Sequence, residues 1–350
     1  MHQSDNKHIN WNRSAREQLL GQGIQRLPHA TLLVGPAGVG KTAFSEQLAA
    51  LLLCESLAPD LTACGGCQAC RWLSAGNHPD FRRVAPDGDD ETEEGNTEKS
   101  AEKLKKRSLG IIRIDQIREL EAFVYVGSHR EGNRVVLITE AEAMNGPAAN
   151  ALLKILEEPP SSVYFILVSN RSKALLPTIR SRCRVIPFGA PDGAAATAWL
   201  AATGLDRQAG RYLELAGGAP LRVAQWKEQG QLAPINALVE SLVAPAADPL
   251  ALAARWDVLL KGDGVFRMEN LVEGLQRWLF DLAQERIAGN VRYHSGWPRP
   301  KGVANLNPSA LLGAWREINQ FRRSARHPLN QLLFLESLAA HYLRALRPLS

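Results

Sequence analysis

The chain has 350 residues, 45% of them hydrophobic and 22% charged, and a formal net charge of +5. That length predicts two or three domains and is enough to bury a sizeable core. The mildly basic balance permits a nucleic-acid partner without requiring one, and no apolar run reaches the length of a membrane span.

The N-terminal stretch MHQSDNKHINW is polar and lacks the apolar core of a secretory signal. A cytoplasmic location without membrane contact is therefore expected, and disulfides are rare there. The five cysteines then call for another explanation.

Thr31 to Val34 form a short apolar run, and after Lys41 the segment AFSEQLAALLLC repeats apolar residues at helical spacing. That order predicts strand, glycine loop and helix. The loop is Gly35, Pro36, Ala37, Gly38, Val39, Gly40, Lys41 and Thr42, a complete phosphate-loop pattern between a strand and a helix. Glycines let the backbone amides curl inward around phosphate oxygens, and the helix N-terminus adds a favourable dipole. Lys41 can reach the terminal phosphates and Thr42 can ligate magnesium, so ATP or ADP with Mg2+ is the expected ligand.

Cys54, Cys64, Cys67 and Cys70 follow, with two-residue gaps between the last three. Four thiolates that can converge on one ion satisfy tetrahedral zinc and leave no open position, which predicts structural Zn2+. His78 lies nearby but has no place in such a set. The stretch from Ala85 to Ser108 has no apolar periodicity and is acidic first, then basic at Lys103, Lys105, Lys106 and Arg107. It is expected to be a mobile surface insertion.

Two further buried strands are predicted, Arg134 to Thr139 and Val163 to Ser169, with the helical pattern AANALLKILEE between them. Apolar strands alternating with helices imply an α/β fold with a parallel sheet. In hydrolysing P-loop proteins a strand of this kind ends in an acidic pair that holds magnesium and orients water. Here it ends in Thr139 and Glu140, and a threonine cannot supply an aspartate's charge to the metal. Hydrolysis by this chain alone is therefore expected to be weak or absent, unless Glu140 or Glu142 substitutes.

Asn170, after its strand, can sense a phosphate. In Leu175 to Phe188, which contains Ser181-Arg182-Cys183, the guanidinium of Arg182 suits a phosphoryl group in transit on a neighbouring chain. Read alone, Arg182 is better taken as a surface arginine. Beyond Pro187 the pattern is helical. A small helical domain is expected at residues 189–236 and a larger one at 237–350, following an α/β domain at 1–188. Arg222, after Gly217-Gly218-Ala-Pro, opens a helix and can face a nucleotide.

Together the phosphate loop, the four-cysteine insertion, the run from Ala151 to Pro160 (ALLKILEEPP) and Ser181-Arg182-Cys183 resemble the clamp-loader branch of the AAA+ ATPases. The match covers most of residues 20 to 190. The resemblance implies a P-loop AAA+ domain with a zinc module, a helical lid and a helical collar. The collar would assemble with gamma/tau motor subunits and a delta subunit, and the assembly would load a sliding clamp onto primer-template DNA. Motor subunits of that branch carry Asp-Glu at the magnesium strand. Thr139 therefore resembles the non-hydrolysing subunit, whose Ser-Arg-Cys arginine completes a neighbour's ATP site. The chain would belong to the DNA polymerase III holoenzyme without carrying a polymerase site. Ile112 to Leu120 resembles the helix that faces DNA. Arg118 is then a candidate phosphate contact, or else an exposed partner of Asp115 or Glu121.

Two other readings compete. An intact phosphate loop suits an independent ATPase motor. A zinc-dependent DNA-binding module would need more positive charge than +5 supplies.

Overall fold

The computed structural model describes residues 11–86, 110–125, 132–205, 208–262, 265–325 and 330–347. Almost all of the expected surface insertion, including its basic run, lies outside the described residues. The chain divides into two compact units, Met1–Pro191 and Asp192–Ser350.

In the first unit, α1 (Arg13–Leu20) precedes β1 (Ala30–Val34) and α2 (Lys41–Leu53). Then come α3 (Gln68–Ser74), β2 (Phe81–Val84) and α4 (Ile114–Tyr125). β3 (Arg134–Ile138), α5 (Gly146–Glu157), β4 (Val163–Ser169), α6 (Pro177–Arg182) and β5 (Arg184–Pro187) complete it. The strands form one five-stranded parallel sheet in the order β2-β3-β4-β1-β5. This is the α/β parallel-sheet class that the strand pattern implied.

The sheet is covered on both faces, and that explains its sequence. The inner strands are apolar at successive positions because alternate side chains enter different cores. Leu32, Val136, Ile138, Phe165 and Leu167 share one core with Ile117 of α4, Leu152 and Ile155 of α5, and Ile179 of α6. Leu33, Val135, Leu137, Ile166 and Val168 are equally buried. They occupy the other face, where α2 packs against β1, β3 and β4. The edge strands differ: β2 exposes Arg82 and Arg83, and β5 exposes Arg184, Val185 and Pro187. Charge and proline are tolerated there because an edge has a free side and need not bury both faces.

The second unit has helices and no strand among its described residues. Its helices are α7 (Gly193–Ala202), α8 (Ala209–Leu215), α9 (Pro220–Glu228) and α10 (Leu232–Val243). α11 (Pro249–Lys261), α12 (Met268–Ala288), α13 (Pro308–Ser324) and α14 (Gln331–Ala345) follow. Large aromatic side chains fill the core, and the polar atoms of Trp256, Trp278 and Tyr342 find hydrogen-bond partners there. Trp256 donates to Ser241 Oγ at 2.8 Å and Trp278 to Tyr342 Oη at 3.0 Å, while Tyr342 donates to the Leu242 carbonyl. Partnering these groups removes the cost of burying them. Asp281, fully buried on α12, accepts backbone N–H groups from Arg292, Tyr293 and His294 and so pins the loop that follows.

Candidate functional site

The phosphate loop leaves the carboxyl end of β1, where an open parallel sheet binds its ligands. Gly35 packs so tightly that a Cβ there would sit 2.1 Å from the Phe188 carbonyl oxygen. Only glycine fits, and the loop is thereby held against the end of β5. Gly40 caps α2 in the left-handed region, with φ 98°. Two residues before α1 also grip the loop: Trp11 Nε1 donates to the Val39 carbonyl at 3.1 Å and Asn12 Nδ2 to that of Gly40 at 3.4 Å. Thr42 is exposed in the first turn of α2.

Lys41 is buried, and its Nζ donates to the carbonyls of Gly35 (2.8 Å) and Pro36 (2.5 Å) and to Asn170 Oδ1 (2.8 Å). Burial lowers its pKa to about 8, against the opposing pull of the Glu142 carboxylate. Asn170, placed by the end of β4, in turn donates its backbone N–H to Glu142 Oε1 at 3.0 Å. The structure therefore joins the loop, Lys41, Asn170 and Glu142 in one polar chain. Glu142 Oε2 is buried and, among the described residues, has no hydrogen-bond partner. Curled glycines, a retracted ammonium and an orphaned carboxylate oxygen fit the phosphates and cation of a magnesium-bound nucleotide.

The residues after β3 divide sharply in orientation. Thr139 is buried, and its Oγ1 donates to the Val84 carbonyl at 3.3 Å, toward neighbouring β2. Glu140 takes a left-handed backbone with φ 50° and is exposed. A single 3₁₀ turn, Ala141–Ala143, then brings Glu142 back to Asn170.

At the far end of α2 lies the cysteine cluster. Cys54 ends that helix, Cys67 caps α3 and Cys70 lies in its first turn. One sulfur from each of Cys54, Cys64, Cys67 and Cys70 lies within 4.8 Å of all the others. Cys54 and Cys67 are 3.9 Å apart, close to the edge of about 3.8 Å that Zn–S bonds near 2.3 Å give a tetrahedron. Backbone N–H groups of Cys64, Cys67 and Cys70 point at the sulfurs of Cys54, Cys64 and Cys67 respectively. Desolvation pushes the Cys67 thiol up, but hydrogen bonds from Cys70 and its neighbours outweigh it and bring the pKa to about 6. Desolvation instead raises the Cys54 and Cys70 thiols, so the fit to zinc rests on the convergence of the four sulfurs. His78 is buried apart from the sulfurs, with its Nδ1 accepting the Asp80 N–H.

Arg182 lies elsewhere. It ends α6, two residues before Arg184, which pairs with Thr31 near the start of β1. The phosphate loop leaves the opposite end of that strand. Thr31 and Gly35 are four residue steps apart, roughly 13 Å at the usual rise of a strand. Arg182 donates to Glu157 Oε1 at 2.5 Å and to the Thr178 carbonyl at 3.2 Å. Buried Ile179 and Cys183 fix the backbone on either side of it. Burial also pushes the Cys183 thiol up to about 12, so it is an inert part of the core. Arg118, on α4, is exposed and meets Asp115 at 3.5 Å. Arg222 belongs to the second unit, where it pairs with Glu273.

A family model described as "DNA polymerase III, delta subunit" matches residues 17–192. A DNA polymerase III delta prime subunit of Pseudomonas aeruginosa is 41% identical over 249 residues, 69% of each chain. The chain belongs to the DNA polymerase III delta prime family. The delta prime subunit of Escherichia coli K12 is 35% identical over 172 residues, 49% of this chain and 46% of its own. A DNA polymerase III gamma/tau subunit of Mycobacterium bovis is 34% identical over 163 residues, 47% of this chain and 25% of its own.

For this member of the delta prime family, two features of the site went beyond the motif reading. Trp11 and Asn12 hold the loop from before α1, and no spacing rule marks them. Glu142 was legible only as one of two alternatives, because the turn that orients it depends on a left-handed Glu140.

Proposed function

We propose that this chain works as the delta prime subunit of a clamp loader, supporting ATP-dependent loading of a sliding clamp onto primed DNA. Its central contribution is Arg182, given as an arginine finger to the ATP site of a neighbouring gamma/tau motor subunit. The observation that carries this reading is the position of Arg182. It stands at the sheet end opposite its own phosphate loop, between buried Ile179 and Cys183, with its guanidinium reaching water. A group so placed serves another chain's phosphates better than its own.

The rest of the reading follows from the same chemistry. Gly35 to Thr42, with Asn170, holds ATP or ADP with Mg2+. Hydrolysis in this chain is weak, because Thr139 is neutral and committed to Val84, and Glu140 points to solvent. Zn2+ on the four cysteines stiffens the module attached to the phosphate-loop helix. Residues 189–236 act as a lid and 237–350 as the collar that joins the motor and delta subunits. Arg118 meets the DNA backbone inside the assembly, which works in the cytoplasm. Size-exclusion chromatography of the chain mixed with its cognate gamma/tau and delta subunits tests the assignment. Co-elution in one complex supports it, and separate elution at micromolar concentration contradicts it.

A further inference from the structure

A buried carboxylate oxygen without a donor is rare, since nothing then replaces the water it has lost. Glu142 Oε2 is such an atom, and its carboxylate acts on Lys41 of the phosphate loop. The other oxygen of the same carboxylate is fixed by the backbone N–H of Asn170, whose side chain accepts from Lys41. The carboxylate is thus held in place at one oxygen and left without a donor at the other.

The neighbouring candidates are differently disposed. Thr139 is neutral and turned to Val84, and Glu140 is exposed on a left-handed residue. Glu142 alone of the three is tied by a hydrogen bond to the residue that contacts Lys41, and its charge acts on Lys41 directly. A divalent cation bound with nucleotide phosphates favours carboxylate oxygen as partner, directly or through its water.

We propose that Glu142 is the carboxylate through which this chain's phosphate loop favours a magnesium-bound nucleotide over a free one, the role that Thr139 cannot fill. The inference rests on the reading that the loop binds nucleotide. It separates binding from hydrolysis: a carboxylate here can hold a magnesium nucleotide while the water-orienting position at Glu140 stays turned away. The chain can then keep a nucleotide in place without consuming it.

The test is titration of the full chain with a fluorescent N-methylanthraniloyl ATP, in magnesium and in EDTA, for wild type, Glu142→Gln and Glu142→Asp. Thermal melting checks that each variant is folded. Glutamine keeps an acceptor for the Asn170 N–H but removes the charge. Wild type is expected to bind about tenfold or more tightly with magnesium, and Glu142→Gln to lose most of that ratio. The loss comes from weaker binding with magnesium and equal or tighter binding in EDTA, where a repelling charge has gone. Glu142→Asp keeps part of the ratio. If Glu142→Gln weakens binding equally in both conditions, its role is only to position Asn170 and the proposal is overturned. An unchanged ratio, or a wild type indifferent to magnesium, overturns it too. A wild type that binds no nucleotide in either condition overturns the nucleotide-site reading itself.

Discussion

Arg182 Nη2 lies 2.5 Å from Glu157 Oε1, with the two side chains 35% and 50% exposed. A pair so open to water contributes about 0–1 kcal/mol. Arg182 is therefore held in a defined place by a bond that a phosphate can replace. Replacing Glu157 by Gln should change unfolding free energy in urea by no more than about 1 kcal/mol. A loss of about 3 kcal/mol would mean that the pair is structural and that Arg182 cannot be released.

The neutral residue after β3 gives a second prediction. Thr139→Asp places a carboxylate where Thr139 now bonds Val84, and it should raise ATP turnover by the isolated chain above the wild-type baseline, measured as phosphate release. Turnover that stays at baseline would mean that the outward turn of Glu140 also blocks hydrolysis. High turnover by the wild type would instead favour an independent motor.

The cysteine cluster predicts metal. Freshly purified protein should contain about one equivalent of zinc by elemental analysis. Cys67→Ser should lose it and lower the melting temperature, because metal binding to a folded site adds to stability. Metal-free wild-type protein would sink the zinc assignment.

Nucleotide affinity should depend on pH through Lys41. Its pKa is lowered to about 8, chiefly by burial. The charged ammonium is the form that attracts phosphate, so affinity should fall as pH rises from 7 to 9, by up to about tenfold per unit above the pKa. The same shift has the opposite sign for folding. The unfolded chain holds this proton up to the ordinary lysine pKa, so between about 8 and 10.5 this group's contribution to stability rises with pH. Fluorescent-nucleotide titrations at pH 7 and 9 check the first effect, and urea melts of the ligand-free protein over pH 8 to 10 check the second. Affinity that is flat or rising across pH 8 would remove Lys41 from the phosphate site.

The parts of this fold legible in the sequence are those where one physical demand dominates. Strands β1, β3 and β4 are buried on both faces, so their apolar runs stand out. The phosphate loop needs glycine where no Cβ fits, and the four cysteines are spaced so that their sulfurs converge. Strands β2 and β5 were hidden because they are four-residue edges carrying Arg82, Arg83, Arg184 and Pro187, which resemble loop residues. Arg182 was visible as a motif, but its remoteness from the loop depends on the parallel register of β5 with β1. Glu142 was obscured for a similar reason: one left-handed residue and one 3₁₀ turn decide which of two nearby glutamates faces Asn170.

The most direct measurement uses the whole assembly. The chain, wild type or Arg182→Ala, is combined with its cognate gamma/tau and delta subunits, and ATP hydrolysis is followed with sliding clamp and primed DNA present. Arginine fingers contribute on the order of 10³ to 10⁵ at the site they serve. The complex containing Arg182→Ala should therefore assemble normally and lose the turnover of the motor site that borders this chain. Normal assembly with undiminished hydrolysis would contradict the trans-arginine role and leave Arg182 as no more than the partner of Glu157.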